Sequence, residues 1–234
     1  MIRKWTFPAL FLAAFVAAPL IASDDAAAQE ATPPWKDQQI LVDKAVAAIG
    51  AMRDDQGFPK AKDLLGHAKA VMIVPELTKG GLIVGGQGGA AVFLARLLDG
   101  SWSYPAFYSI GGGTLGLQIG VQRAQMVFLI MSDRAVQAWM TDRVKFGGQG
   151  GVAVFVVGDQ NKPNAMTQDR ADVVVWSRAA GAYAGINFEG TSVSFDRDGT
   201  AKYYGKPAAA EDVLLQGGFG NPAANPLRSA LFVH

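Results

Sequence analysis

The sequence predicts a β-rich α+β domain: antiparallel strands in a packed sandwich or barrel-like sheet, with N-terminal helices and one covering helix. Three observations predict it. Helical periodicity is confined to residues 35–67, to about 133–145 and to a short segment near the end. The rest is made of short apolar runs and alternating segments, which is strand patterning. The chain also holds 28 glycines, which favour turns, bulges and close backbone approach over long helices. Half of the 234 residues are hydrophobic, enough for one sizeable core.

Element by element, the chain starts with Arg3 and Lys4, then an apolar run over 5–22 interrupted by Pro8 and Pro19. Ala26-Ala27-Ala28 follows, just before Gln29. This is the charged, apolar, small-residue order of a signal peptide, so residues 1–28 are expected to be removed. A retained anchor is the alternative, since the run spans a bilayer when tilted. Pro19 and the Ala-x-Ala site favour cleavage. The expected location is therefore the periplasm of a bacterial envelope. Residues 29–35 read as a flexible lead-in.

From 35 to 53, Leu41, Ala45, Ala48, Ile49 and Met52 recur at spacings of three and four, one face of a helix. Gly57 and Pro59 punctuate it, and a second short helix is expected over about 60–67. Strands are expected at 71–74 (stopped by Pro75), 81–93, 102–110, 114–121 and 126–131. Ser132 or Asp133 then caps a helix reaching about Lys145. Strands at 152–157, 173–177, 183–189 and 191–196 follow, with Asp198-Gly199 as a turn. A short helix is expected over 211–215. Gly85-Gly86-Gln87-Gly88-Gly89 before Ala91-Val92-Phe93 is echoed by Gly147-Gly148-Gln149-Gly150-Gly151 before Ala153-Val154-Phe155. A duplicated β unit and chance recurrence of glycine strings both account for this.

The chemistry-bearing residues are few. The formal net charge is +1, which gives no footprint for nucleic acid. Without cysteine there is no disulfide, thiolate site or cysteine nucleophile. Neither glycine cluster continues into the Lys-Ser/Thr of a phosphate loop. There are two histidines, His67 and His234, and no ligand set has metal spacing. His67 stands at a helix end, where capping is its expected role. An enzyme would need Glu189, Asp172 or His67 brought together in a pocket. No cofactor is expected, and a non-catalytic role is.

Lipid contact has more candidates. The first helix carries Lys36 and Lys44 on its polar side, as a surface-lying helix does. Docking on the domain is the alternative use of its apolar face. Trp102-Ser103-Tyr104-Pro105-Ala106-Phe107-Tyr108 is suited to an apolar cleft or an interface, or to the core. Lys79, Arg96, Arg123, Arg143, Lys145 and Arg178 flank glycine turns and strand ends. Clustered in space, each adds about 1 kcal/mol of attraction to an anionic surface.

The string from Trp102 through Ser109-Ile110-Gly111-Gly112-Gly113-Thr114-Leu115-Gly116-Leu117-Gln118-Ile119-Gly120 closely resembles the signature of the SYLF domain, also called the Ysc-type actin-binding domain. Residues 70–75, Gly80-Gly81-Leu82-Ile83-Val84-Gly85-Gly86, the block 177–190 and Tyr203-Tyr204-Gly205 agree with the family in order. The resemblance covers roughly 36–217, leaving 218–234 as a tail. It implies phospholipid binding. In eukaryotic members it also implies actin binding, which does not suit an exported bacterial protein. The expected role is thus peripheral phospholipid binding in the envelope. Lys79, Arg123 and Lys145 are expected to take the headgroup, and Trp102, Tyr104 and Phe107 the apolar contact. The alternative is a structural or interaction protein that binds a protein partner or itself.

Overall fold

A computed structural model describes residues 33–81, 84–115, 120–140, 143–145, 153–157, 170–179 and 191–233. Helix α1 (Lys36–Arg53) and helix α2 (Ala61–His67) come first. The long strands β1 (Ala70–Gly81), β2 (Val84–Ala95), β3 (Ala106–Leu115) and β4 (Gly120–Ile130) follow. Then come α3 (Asp133–Met140), β5 (Arg143–Lys145), β6 (Val154–Val156), β7 (Val173–Ala179) and β8 (Thr191–Phe195). The chain closes with α4 (Arg197–Tyr204), α5 (Ala210–Leu214) and α6 (Asn225–Ala230).

The strands form one eight-stranded sheet in the order β5-β8-β3-β2-β1-β4-β7-β6. It is curled, so the barrel-like form of the expected α+β fold is the one found. The layer facing each side of the sheet is helical, and no second sheet packs on it among the described residues. All pairings are antiparallel except β6 with β7, which is parallel.

β1 sits at the centre, and Val71, Met72, Ile73 and Val74 are all fully buried. Their alternation sends Val71 and Ile73 toward α1, and Met72 and Val74 into a second apolar cluster with Phe93, Tyr108, Phe128 and Trp139. A strand covered on both faces reads as a continuous apolar run, which is what the sequence shows. Pro75 does not stop this strand. β1 continues to Gly81, with register shifts against both neighbours between residues 73 and 78. A bulge absorbs the missing N–H. It brings the Glu76 carbonyl so close to Gly89 that a Cβ there would lie 2.5 Å from it. Only glycine fits at that point.

α1 buries Val42, Ala45, Ala48, Ile49 and Met52 against the sheet. The expected face is shifted slightly: Val42 takes the place of Leu41, which lies at the helix edge. Arg96 ends α2 by donating from Nε to the Ala68 carbonyl and from Nη2 to that of Leu65, both at 2.9 Å. These are carbonyls that a helix end leaves unpaired.

Several boundaries differ from the sequence reading. The segments expected at 114–121 and 126–131 are the end of β3 and the body of β4, and 116–119 lie outside the described residues. α3 ends at Met140, because Arg143–Lys145 pair with β8 instead of extending the helix. Asp198-Gly199 is the first turn of α4: Asp196 accepts a hydrogen bond from the Gly199 N–H at 2.9 Å, an N-cap. The strand expected at 183–189 and the second glycine cluster lie outside the described residues. Residues 218–234, read as a tail, include α6, whose Leu227, with Leu231 just beyond it, is fully buried beside α1.

Candidate functional site

β2 and β3 carry the glycine clusters Gly85-Gly86-Gln87-Gly88-Gly89 and Gly111-Gly112-Gly113. On the α1 side of the sheet, one cross-strand row reads Arg123, Thr78, Gly88, Gly111, Ser192, from β4 to β8. Gly86, Gly88 and Gly113 are exposed there. Asp37, Ile40, Leu41 and Lys44 of α1 form a wall beside this floor. A cleft of about 300 Å³ lies between the wall and Ala90, Phe107 and Asp196. Ile40 is 44% exposed, a large apolar side chain facing water.

Three charges meet at this edge. Lys44 Nζ lies 3.4 Å from Glu76 Oε2, and Arg123 Nε lies 3.4 Å from Glu76 Oε1. The Lys44 and Arg123 side chains are 54% and 68% exposed. Ion pairs this exposed are worth little in water, so both cations are available to an outside anion. Within this triad two cations share one carboxylate, and Asp37 and Asp196 line the cleft beside it.

One residue along, the opposite face carries a second row: Gln122, Lys79, Gln87, Gly112, Thr191. Lys79, Gln87 and Thr191 are buried. Gln87 Nε2 donates to Thr191 Oγ1 at 2.5 Å. Lys79 and Arg123, expected to act together, therefore stand on opposite faces of the sheet. The side chain of Lys145, on β5, lies outside the described residues.

The expected apolar contacts lie inward. Trp102 is fully buried, with the Arg96 guanidinium 4.3 Å from its ring centre. Phe107 is buried edge-on against Tyr203, with ring centres 4.9 Å apart. Tyr104 is partly buried beneath Arg228, whose guanidinium lies 4.3 Å from its ring, and its hydroxyl meets Asn225 Oδ1 at 3.3 Å. These side chains build the fold and leave Ile40 as the exposed apolar group at the ledge. Tyr203 donates to Gln39 Oε1 at 3.0 Å and Tyr204 to the Pro105 carbonyl at 2.7 Å. Burial pushes both phenols well above their ordinary pKa, so both stay neutral donors.

Of the groups named for catalysis, Asp172 and His67 are otherwise engaged. Asp172 accepts from Ser132 Oγ at 2.6 Å and the Ala153 N–H at 2.8 Å, and also pairs with Arg134. Burial opposes its ionisation, but the bonds from Ser132, Ala153 and Arg134 outweigh this and hold its pKa below the usual value. His67 Nδ1 donates to the Asp63 carbonyl one turn back, at 2.8 Å. Glu189 lies outside the described residues. Among the described residues, no helix is long and apolar enough to cross a membrane.

The profile of the Ysc84 family, described as Las17-binding protein actin regulator, matches residues 111–232. The chain belongs to the Ysc84 (SYLF) family. Among its relatives, SH3 domain-containing YSC84-like protein 1 of Rattus norvegicus is 31% identical over 153 residues, 65% of this chain and 45% of the rat protein. Protein YSC84 of Saccharomyces cerevisiae is 30% identical over 167 residues, 70% of this chain and 36% of the yeast protein. LAS seventeen-binding protein 3 of the same yeast is 30% identical over 176 residues, covering 74% and 38%. The chain thus spans less than half the length of these relatives. The Ysc84 match runs through α6, so the residues read as a tail lie largely inside it. The SYLF signature supplies core: Trp102, Phe107, Tyr108 and Ile110 are all buried.

Sequence reasoning reached Lys44 and Arg123 as separate basic residues. It missed Glu76, which joins them, because the bulge after Pro75 is what turns this carboxylate toward α1.

Proposed function

We propose that this chain is a non-catalytic phospholipid-binding protein of the bacterial cell envelope that associates peripherally with a membrane face. The observation that carries the reading is the pairing of two exposed cations, Lys44 and Arg123, with exposed Ile40 beside the exposed glycines of the sheet. A lipid headgroup phosphate replaces Glu76 as the partner of the cations, and Ile40 enters the interfacial layer. The attraction is electrostatic over short range and is screened by salt. The leader expected over residues 1–28 supports export to the periplasm.

Cosedimentation with vesicles tests this. Binding is expected to rise with the anionic lipid fraction and to fall as salt is raised. Absence of binding to anionic vesicles at low salt would refute it.

The second reading is a protein-interaction module. The family description, Las17-binding protein actin regulator, supports it. Actin does not suit an exported chain, so the partner in this reading is another envelope protein or a second copy. A pull-down from envelope extract and a size-exclusion mass separate it from the first reading.

A further inference from the structure

A second cleft, of about 510 Å³, lies between the end of α2, the end of β2 and α3, away from the Lys44–Glu76–Arg123 edge. Its volume is within the range of small-molecule sites. Leu97, Val136, Met140 and Leu215 give it an apolar lining, and Leu215 is 46% exposed. Its polar side holds Lys69, Arg96 and Asp133.

The charge pattern there is unbalanced. Lys69 pairs with Asp133, and both are well exposed. Arg96 donates to the carbonyls of Ala68, Leu65 and Gly100 and lies over Trp102. Carbonyl dipoles orient a guanidinium but do not neutralise it. Among the described residues no ion pair places a carboxylate on Arg96. Burial lowers its pKa. An apolar cleft with an uncompensated cation in its wall suits a molecule with an apolar tail and one anionic end.

We infer that this cleft binds a single-chain carboxylate amphiphile, a fatty-acid anion. Its tail lies along Leu97, Val136, Met140 and Leu215. Its carboxylate lies between Arg96 and Lys69, and Asp133, the exposed partner, gives way. This site is independent of the membrane face proposed above.

The test is calorimetric titration of the purified chain with dodecanoate below its micelle concentration, with dodecanol as the neutral control. One dodecanoate per chain is expected, with dodecanol about tenfold weaker for want of the charge-assisted bonds. Gln137→Glu, nearly isosteric on the exposed side of α3, and Leu215→Glu each place a carboxylate in the lining. Both are expected to weaken dodecanoate by about tenfold without moving the thermal transition. Lys44→Glu with Arg123→Glu leaves dodecanoate binding unchanged, which keeps this result separate from vesicle binding. No dodecanoate binding, equal binding of dodecanol, or undiminished binding by the Gln137→Glu chain overturns the inference.

Discussion

Glu76 of β1 stands 3.4 Å from Lys44 of α1, and the same carboxylate faces Arg123 of β4 at the same distance. It is the internal anion of the proposed membrane face. Removing its charge leaves both cations unopposed. Glu76→Gln is therefore expected to tighten binding to anionic vesicles by about fivefold, the effect of roughly 1 kcal/mol per charge near an anionic surface. Cosedimentation against an anionic-lipid titration measures this. Unchanged or weaker binding contradicts the role given to Glu76.

Trp176 Nε1 donates to Asp55 Oδ2 at 2.7 Å, tying the turn after α1 to β7. This bond is the main cause of the lowered Asp55 pKa. Burial opposes it, and the Gly57 N–H and Arg178 add to it. Trp176→Phe keeps the ring volume nearest the core and removes the donor. It is expected to cost about 1–2 kcal/mol, a charge-assisted bond partly offset by water. Urea unfolding reads the loss, with the same slope and a lower midpoint.

Asp55 and Asp172 both have folded-state pKa values below the reference of 3.8. A carboxylate shifted downward stabilises the fold above its unfolded pKa. That stability is lost as pH falls through the folded value. The chain is thus expected to hold its thermal transition from neutral pH to about pH 4 as far as these two groups act, and to lose stability below. Asp172→Asn flattens this acid limb and lowers stability at neutral pH, because Arg134 and the Ala153 N–H lose their anionic partner. A melt series at several pH values compares the two chains.

The strands of the core were legible because burial on both faces leaves continuous apolar runs, such as residues 71–74 and 126–130. α1 was legible from its three-and-four spacing. Of the misread boundaries, Pro75 and residues 143–145 carry local signals for strand end and helix, and strand pairing overrides both; Asp198-Gly199 carries a turn signal, and the Asp196 cap turns it into the start of α4. The candidate site was legible only in part. The exposed cations stand out in the sequence. Which face each occupies depends on register, and a one-residue offset separates Lys79 from Arg123. The aromatic string drew attention as an interface for the same reason that it packs the core: large apolar rings suit both environments.

The C-terminal residues read as a tail because the family resemblance runs only to about residue 217. Leu227 and Leu231 are nonetheless fully buried. Each burial contributes roughly 2 kcal/mol. Truncation after Gln216 is expected to leave a chain with little cooperative unfolding, whereas removal of residues 1–28 is expected to leave the transition intact. Circular-dichroism melts of the two truncated chains decide this.

The most direct measurement of the central claim is cosedimentation of the Lys44→Glu, Arg123→Glu double variant with anionic vesicles at low salt, beside the unchanged chain. Both side chains are exposed, so the fold is expected to survive, as a matching melt would show. The account predicts salt-sensitive binding by the unchanged chain and its loss in the variant. Equal binding by a folded variant would contradict it and move the function to another surface.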